Sequence, residues 1–416
     1  MARSKTSDPP VVVCVVVKAW PLVSTTFIAQ ELVGLEREGL ELWVVSTLQG
    51  DKVRHKLHDQ LHAPIRYLAG ANSLPRLVRA WRKLRRTPGY AKAKELLRYD
   101  RGHGASAMRL VAFAGAMLAA AEMPAETRII YAHFLNSGMN VARYAAAMSG
   151  LPVAVSAHAR DIWVSPEWNK RVKLAQAEWC TTCTIDGWEH LKTLADDPAK
   201  VHLIYHGLSF ERFPGDAPKR PLRDGSDPDE PVRLFSVGRA VEKKGFDVLL
   251  DALGTLPKEL NWRWVHVGGG PILDALKECA KARDILDRID WLGVQTQAEV
   301  IALYRSSDLF VLPSREGADG DRDGLPNVLM EAQSQALCCL STRFSAIPEL
   351  IIDGETGVLV SPGETAPLRD ALERLITSPA LREKLGMAGF KRVRGKFEAE
   401  AGIHQLAGLL RGSMKT

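Results

Sequence analysis

The chain has 416 residues, of which 46% are hydrophobic and 25% are charged. This composition is typical of a globular protein of two or three domains and excludes a disordered, collagen-like or disulfide-rich chain. The 55 basic and 49 acidic side chains leave a net charge of +6, which is too small by itself to indicate a nucleic-acid-binding protein.

Short apolar runs recur along the chain, and each is followed by a helix-like stretch. Buried strands that alternate with helices predict parallel sheets covered on both faces. A first series lies at 11–17, 42–47, 129–132, 153–156, 181–185 and 201–205, and a second at 234–237, 264–267, 289–292, 309–312, 337–340 and 357–360. The two series predict an α/β fold of two Rossmann-like, doubly wound parallel-sheet domains.

Residues 214–231 are rich in proline, glycine and charge, which is typical of a connection between domains. We therefore expect an N-terminal domain at 1–213 and a C-terminal domain at 232–395, with a last helix at 396–416 that returns to the N-terminal domain. Parallel sheets bind ligands at the carboxyl ends of their strands, and pockets favour the cleft where two domains face each other. Neither series begins with G-x-G-x-x-G, which disfavours a dehydrogenase.

The apolar runs are too short to span a bilayer, which needs about 20 residues. The first run also lacks the flanking residues of a signal peptide. We therefore expect a cytoplasmic protein, which meets a membrane only from the inside. Cys180 and Cys183 have the spacing of half a zinc site, but no second pair completes it. Buried free thiols are the favoured interpretation, and no metal site is expected.

A basic segment interrupts the even spacing of the strands. Leu77, Val78, Trp81 and Leu84 fall at helical spacing within it, which predicts a basic amphipathic helix. Such a helix suits an anionic membrane surface, and a solvated basic face is an equally open interpretation. No stacking-aromatic pattern favours nucleic acid. The basic residues of this segment are Arg66, Arg76, Arg79, Arg82, Lys83, Arg85, Arg86, Lys92, Lys94, Arg98, Arg101 and Arg109.

The loop that follows the run at 309–312 is acidic and contains glycine. Pro326 predicts the start of a helix, whose free N–H groups and positive dipole end suit a phosphate or sugar hydroxyls. Asp323 in the loop and Glu331 in the helix could accept hydrogen bonds from hydroxyls of a sugar or ribose, although acids that merely cap a helix are also common there. Asp319–Gly324 copies the opening of a calcium loop, but Met330 occupies its closing position, so calcium is not expected.

Two further loops follow strands of the second series. Arg239 and Lys244 lie five residues apart after the first strand, and together they could clamp a pyrophosphate. Solvated surface cations are the other interpretation. Gly268 and Gly270 follow the next strand, where they permit close approach to a ligand or form a plain tight turn. In the first series, His133 and His158 follow neighbouring runs and could line the same cleft.

These motifs together resemble the family 4 retaining glycosyltransferases of the GT-B fold, and among them the bacterial enzymes of colanic-acid and amylovoran type. The resemblance covers nearly the whole chain. The matching stretches are WPLVSTTFI (20–28), HF (133–134), SAHARDI (156–162), VGRAVEKKGFDVLLDAL (237–253), GGGP (268–271), LPSREGADGDRDGLPNVLMEA (312–332) and SAIPELIIDGETGVLV (345–360).

The resemblance implies transfer of a hexose from a UDP- or GDP-linked sugar to an oligosaccharide on a polyprenyl diphosphate, without a further cofactor. It implies that Glu331 holds the ribose and that Asp323 acts on the donor sugar. The remaining donor-side residues would be Arg239 and Lys244 at the diphosphate, His158 at the reaction centre, and Gly268, Gly270, Gly324, Leu325 and Pro326 through the backbone. Ser24, Thr25, His133 and Asp161 would lie on the acceptor side.

The sequence departs from the family pattern at two positions. Asp323 stands where the family usually has Glu, and Thr25 stands where similar enzymes often have Glu. Four alternatives stay open, of which Asp323 hints only at the first and the basic segment suggests only the last. They are a catalytically degenerate binding subunit, a sugar-nucleotide epimerase of the same fold, a phosphorylase, for which no motif identifies a cofactor-bearing lysine, and a basic nucleic-acid-binding protein.

Overall fold

The structure, a computed structural model, describes residues 11–22, 25–52, 56–70, 73–104, 107–318 and 320–414. These residues form two compact units. One contains the described residues up to Cys183, together with Gly187–His206 and the residues from Glu400 onward, and the other contains Thr184–Asp186 and Gly207–Ala399. The chain therefore passes from the first unit to the second and back again.

The first unit contains a parallel sheet, to which the described residues contribute seven strands in the order β3-β2-β1-β4-β5-β6-β7. The strands are β1 Val12–Trp20, β2 Glu41–Gln49, β3 Ile65–Tyr67, β4 Thr127–His133, β5 Val153–Ala157, β6 Cys180–Thr182 and β7 Val201–Leu203. The helices between them are α1 Thr26–Arg37, α2 Ser73–Leu84, α3 Pro88–Gly102, α4 Met108–Glu122, α5 Met139–Ser149, α6 Ala159–Trp163, α7 Glu167–Gln176 and α8 Ile185–Leu194.

The second unit contains another parallel sheet, with six strands among the described residues in the order β10-β9-β8-β11-β12-β13. The strands are β8 Val232–Val237, β9 Trp262–Val267, β10 Ile289–Gly293, β11 Leu309–Leu312, β12 Cys338–Thr342 and β13 Val358–Val360. The helices are α9 Phe246–Gly254, α10 Leu273–Ala282, α11 Gln297–Ser306, α12 Asn327–Ser334, α13 Ile347–Leu350, α14 Thr365–Ile376 and α15 Pro379–Lys396.

A last helix, α16 Ala399–Ser413, lies almost entirely within the first unit. The Arg411 guanidinium donates to the backbone carbonyl of Glu38, just beyond α1, at 2.5 Å. The indole N–H of Trp179 donates to the Ser413 hydroxyl at 2.9 Å. These contacts tie α16 to residues far away in the sequence.

Strand β1 shows why the apolar runs fold as buried strands. Val12, Cys14 and Val16 point into one hydrophobic cluster with helices α2 to α5, and the intervening Val13, Val15 and Val17 are equally buried. A strand that is apolar at every position needs cover on both faces of its sheet. The run at 11–17 is apolar at every position, and its strand accordingly lies in a doubly wound sheet with helices on both faces.

The proline-rich segment 214–231 forms neither helix nor strand and groups with the second unit. Arg220 fastens it there. Its guanidinium donates to four backbone carbonyl oxygens, those of Tyr304, Ser307, Gln335 and Ala336, at 2.7–3.1 Å. Burial lowers the pKa of Arg220 to about 10.

Among the described residues, no helix combines the length and the apolar character that crossing a membrane requires. The longest helix, α15, has 18 residues and contains many charged side chains.

Candidate functional site

The strand order places the candidate site of the second unit. The sheet reverses its direction of winding between β8 and β11, which pair in parallel at Leu309 and Leu234. In such sheets, ligands bind outside the carboxyl ends of the strands at this switch point. The loops after β8 and β11 are the two that carry Arg239, Lys244 and Asp323.

Lys243, Lys244 and Asp323 form a cluster at this point. The Lys244 ammonium lies 2.6 Å from Asp323 Oδ2, and the Lys243 ammonium lies 3.2 Å from Asp323 Oδ1 and 3.0 Å from Asp321 Oδ2. Burial alone would raise the pKa of Asp323, but the two ammonium groups lower it below its usual value. The carboxylate therefore stays charged and bridges both lysines.

The backbones of the two loops are also joined. The Arg315 N–H donates to the Lys243 carbonyl at 2.9 Å, and the Arg315 guanidinium donates to Asp247 at 2.7 Å. Gly245 has a positive φ of 66°, and a Cβ built on it would overlap the Pro313 carbonyl. The Arg239 side chain is exposed, and within the described part of the chain its guanidinium forms no hydrogen bond or ion pair. It is therefore available to a ligand.

Glu331 lies in α12, just over one turn after Pro326. The Tyr304 hydroxyl, from α11, donates to Glu331 Oε2 at 3.1 Å. Burial raises the pKa of Glu331, while the Arg212 guanidinium and the Tyr304 hydroxyl oppose that shift. One carboxylate oxygen is thereby held by the protein, and the other can accept a hydrogen bond from a ligand.

The start of α12 lies where the sequence predicts it. Pro326 directly precedes the helix, and its backbone is extended, with φ −66° and ψ 117°. Gly324 and Leu325 are half-buried in the loop before it. In the loop that resembles a calcium site, Asp319 lies outside the described residues. The Asp321 carboxylate pairs with the Lys243 ammonium at 3.0 Å.

Gly268 and Gly270 follow β9 with φ values of 143° and 155°. A Cβ built on Gly268 would overlap the Gly238 carbonyl, and one on Gly270 would overlap backbone atoms of Ala240. The neighbouring loop therefore requires both glycines, whatever ligand the unit binds. Gly269, between them, has open space around it.

In the first unit, three histidines lie together at the carboxyl edge of the sheet. His133 ends β4, His158 follows β5 and His206 follows β7. The rings of His158 and His206 stack 5.2 Å apart, and His133 stacks on His158 at 5.9 Å. Phe27 covers both His158 and His206 at 4.9 and 4.7 Å. Burial, and then the neighbouring imidazoles, lower the pKa of His158, which stays neutral.

Glu31 of α1 faces this cluster. Its carboxylate accepts the Tyr131 hydroxyl at 2.9 Å and lies 3.2 Å from His133 Nε2 and 3.6 Å from His206 Nδ1. Burial raises the pKa of Glu31, but the imidazoles outweigh that effect and lower it. A charged carboxylate therefore lies behind the histidines.

Of the residues expected on the acceptor side, His133 belongs to the histidine cluster, whereas Asp161 and Thr25 contact backbone groups. Asp161 is buried and accepts the backbone N–H groups of Leu135 and His158 at 2.5 and 3.3 Å, so it holds these two loops. Burial raises its pKa to about 7. Thr25 donates to the Leu22 carbonyl at 3.4 Å. Ser24 lies outside the described residues.

Sequence reasoning missed several residues of these clusters. Tyr304 and Glu31 come from helices whose patterns indicate only burial, so no local signal marks them. Lys243 adjoins the expected Lys244, and its charge was a visible signal. His206 and Cys183 follow strand ends, which is the position that identified His133 and His158, whereas Arg212 lies nine residues after β7 and carries no such signal.

Two doubly wound parallel-sheet units within one chain are the architecture of the GT-B fold of glycosyltransferases. Solved structures of this class match the chain along its length. They include Anabaena HepE in complex with UDP (TM-score 0.70, 15% identity, 97% of this chain and 100% of that one). Another is sucrose-phosphate synthase of Thermosynechococcus elongatus (TM-score 0.68, 16% identity, 97% and 99%). The predicted fold class is confirmed.

The sequence comparisons define the class of the second unit more closely. Residues 221–392 match the family described as Glycosyl transferases group 1, so the chain carries a group 1 glycosyltransferase domain. The chain is 29% identical to the amylovoran biosynthesis glycosyltransferase AmsK of Erwinia amylovora, over 94% of this chain and 97% of that protein. It is 27% identical, over the same shares, to the colanic acid biosynthesis glycosyltransferase WcaL of Salmonella typhimurium. The predicted resemblance is confirmed.

Proposed function

We propose that this protein is a retaining hexosyltransferase, which moves a sugar from a nucleoside-diphosphate donor to a growing oligosaccharide in exopolysaccharide or lipopolysaccharide assembly. The observation that carries the proposal is the cluster of Lys243, Lys244 and Asp323 at the switch point of the group 1 domain. The relatives named for amylovoran and colanic acid biosynthesis support the pathway class. HepE, solved with UDP-glucose, supports a uridine donor, with guanosine as the second candidate.

The donor roles follow from charge and hydrogen-bonding capacity. Lys244 and Arg239 supply positive charge to the diphosphate, and the start of α12 adds unpaired N–H groups. Glu331 accepts hydrogen bonds from the ribose hydroxyls, with Tyr304 holding its second oxygen. Asp323, with the backbone from Gly324 to Pro326, binds the sugar. A neutral His158 contributes a ring N–H or a lone pair beside the reacting carbon.

The reaction passes through an oxocarbenium-like state, as glycoside hydrolysis does. The bond from C1 to the diphosphate oxygen breaks first, and the charge that develops on that oxygen is stabilised by Lys244 and Arg239. The acceptor hydroxyl then bonds to C1 from the face that the diphosphate leaves, and its proton passes to the leaving oxygen. Configuration at C1 is thereby retained without an enzymic nucleophile, and no step requires a metal ion.

We also propose that the protein works at the cytoplasmic surface of an anionic membrane, where a polyprenyl-diphosphate-linked acceptor would be available. On α2, Leu74 is 71% exposed, and Val78 and Trp81 are also exposed. Arg85 lies over the Trp81 ring at 4.7 Å. Apolar side chains beside cations match the interface of an anionic bilayer. The basic residues exposed in this segment are Arg79, Arg82, Lys83, Arg85, Arg86, Lys92, Lys94, Arg98 and Arg101.

Three basic residues of the segment serve the fold instead. Arg109 is buried against Asp100, and Arg66 and Arg76 pair with Glu122 at 2.6 and 2.9 Å. Sedimentation with vesicles tests the surface. We expect binding to phosphatidylglycerol vesicles that falls steeply with salt, and weaker binding of Trp81→Ser. Equal binding to neutral and anionic vesicles would contradict this proposal.

The donor is identified by thermal shift with a panel of UDP- and GDP-sugars in EDTA, followed by measurement of nucleoside diphosphate release with an oligosaccharide acceptor. A ligand at a hundredfold excess over its dissociation constant stabilises the fold by about 2.7 kcal/mol. We expect one donor to stabilise the protein, and we expect Lys244→Met and Glu331→Gln to abolish the shift. Lys281→Met and Glu278→Gln, on the exposed face of α10, are the matched controls.

The same experiment separates the alternatives. Stabilisation by a nucleotide sugar without any transfer indicates a degenerate binding subunit. Conversion of the donor sugar without an acceptor indicates an epimerase. Nuclear magnetic resonance of the product distinguishes retention from inversion at C1, and an inverted product would refute the proposed mechanism.

A further inference from the structure

Cys183 is brought next to two of the clustered histidines. Its strand, β6, lies between β5 and β7 in the sheet, so His158, Cys183 and His206 follow three neighbouring strands at one edge. One potential ligand atom from each side chain lies within 4.8 Å of the other two. Cys183 belongs to half of a zinc-like motif in the sequence. In the structure, imidazoles from elsewhere in the chain, and not a second pair of cysteines, supply the further potential ligands.

The histidines are prepared to act as ligands. The Nε2 atoms of both His158 and His206 are buried without a hydrogen-bond partner within the described residues. His158 is only 7% exposed. Leaving a buried polar atom without a partner is unfavourable, so both nitrogens favour a ligand. The Glu31 carboxylate beside Nδ1 of His206 keeps the lone pair of that ring on Nε2. Burial lowers the pKa of His206 to about 4, which leaves its ring neutral.

Glu31 supplies the orientation and the charge that such a ligand would need. Its Oε2 lies 3.6 Å from His206 Nδ1, on the opposite side of the ring from Nε2. A carboxylate behind a ligating histidine fixes the ring and raises the basicity of its free nitrogen. Within the described part of the chain, no lysine or arginine pairs with Glu31. A cation in front of His206 would balance this buried negative charge.

We propose that His158, Cys183 and His206 bind a divalent cation of the zinc class, with Glu31 as the positioning carboxylate. Two imidazoles and one thiolate are the donors that zinc prefers, and tetrahedral zinc places its ligand atoms about 3.5 Å apart. The present separations, which are within 4.8 Å, shorten to that value when the metal binds. Binding ionises the Cys183 thiol, releases one proton to solvent and leaves a fourth position open.

Cobalt(II) is the probe for this site, because a cobalt–thiolate bond gives a charge-transfer absorption band. We expect the reduced protein, kept under a phosphine, to show this band and zinc to displace it. Cys183→Ser should abolish the band, and His206→Gln should weaken zinc affinity at least tenfold. Glu31→Gln should weaken it by about 10- to 100-fold.

Cys279→Ser and His202→Gln are the matched controls, since neither residue belongs to the His158, Cys183 and His206 cluster and both are also half-buried. Circular dichroism checks that each variant is folded, and if Cys183→Ser is not, His206→Gln and Glu31→Gln carry the test. Calorimetry in two buffers measures the released proton. Absence of the band in the wild type, or its persistence after Cys183→Ser, would overturn the proposal.

One consequence rests on the proposed function. Because His158 is proposed to serve sugar transfer, a bound zinc ion would inhibit the enzyme, and Cys183→Ser would relieve that inhibition. EDTA should restore wild-type transfer. The cobalt spectrum does not depend on transfer, so a protein that binds cobalt but transfers no sugar would refute the function and keep the metal site.

Discussion

Lys243 and Lys244 share the Asp323 carboxylate, and this arrangement predicts how the two lysines contribute to diphosphate binding. The Lys244 ammonium lies 2.6 Å from the Asp323 carboxylate. To bind an incoming diphosphate, this ammonium must leave Asp323 and pair with the phosphate oxygens. Lys243, 3.2 Å from the other oxygen of Asp323, remains as its partner when this happens. In Lys243→Met, by contrast, nucleotide binding would leave a largely buried carboxylate without a counterion.

The expected magnitude follows from these contacts. The three side chains are only 13–23% exposed, so the lost contact has the strength of a hydrogen bond to a charged group, about 1.5–3 kcal/mol. Lys243→Met should therefore weaken nucleoside diphosphate binding by about 10- to 100-fold. In an Asp323→Asn background, the same change should cost less than about 1 kcal/mol, as for an exposed charge. Asp323→Asn alone should strengthen nucleotide binding while it impairs transfer.

Isothermal titration of UDP and GDP into the four proteins measures this coupling, with Lys281→Met as the control for loss of one positive charge. If Lys243→Met weakens binding equally in both backgrounds, within about 0.5 kcal/mol, Lys243 and Asp323 act independently and the reasoning is refuted. Failure of every variant to bind either nucleotide would instead contradict the proposed function.

Three further predictions concern single side chains. Tyr304→Phe removes the hydrogen bond to Glu331 and should raise the donor KM about tenfold with kcat within twofold; an unchanged KM would show that the bond does not position the carboxylate. Asp161 has its pKa raised from 3.8 to about 7, so the folded protein keeps a proton that the unfolded chain loses above pH 4. Urea unfolding should therefore show wild-type stability falling, relative to Asp161→Asn, by up to about 4 kcal/mol between pH 4 and 7; a constant difference would contradict the assigned shift. Gly268→Ala should destabilise the fold by at least about 2 kcal/mol in the same assay, whereas Gly269→Ala should leave it nearly unchanged, and equal effects would contradict the backbone explanation.

The strands were predictable because burial on both faces leaves an unambiguous apolar run. The runs at 11–17, 153–156 and 309–312 all correspond to strands of the structure. The edge strand β3 was missed because Ile65–Tyr67 has three residues with an exposed arginine in the middle. An edge strand needs little apolar surface, so its sequence resembles a loop.

The sequence locates candidate site residues only where polar side chains follow the ends of strands. Lys244, Asp323 and Glu331 stand in loops or helix starts that directly follow strands, and the periodicity of the chain locates those positions. The partners of these residues depend on tertiary contacts. Tyr304 reaches Glu331 from 27 positions earlier in the sequence, and Glu31 meets Tyr131 across 100 positions. A local sequence pattern spans only a few residues, so it does not reveal contacts between residues this far apart in the sequence.

The placement of α16 has a consequence for the order of folding during synthesis. His404 pairs with Glu38 across 366 positions of the chain, and the residues between His206 and Glu400 all belong to the second unit. In topological terms, the second unit is an insertion within the first. At 5–20 residues per second, a ribosome needs about 10–40 s to make residues 207–399. The sheet of the first unit is synthesised first. The surface that α16 covers then stays exposed for that time, until α16 itself is made.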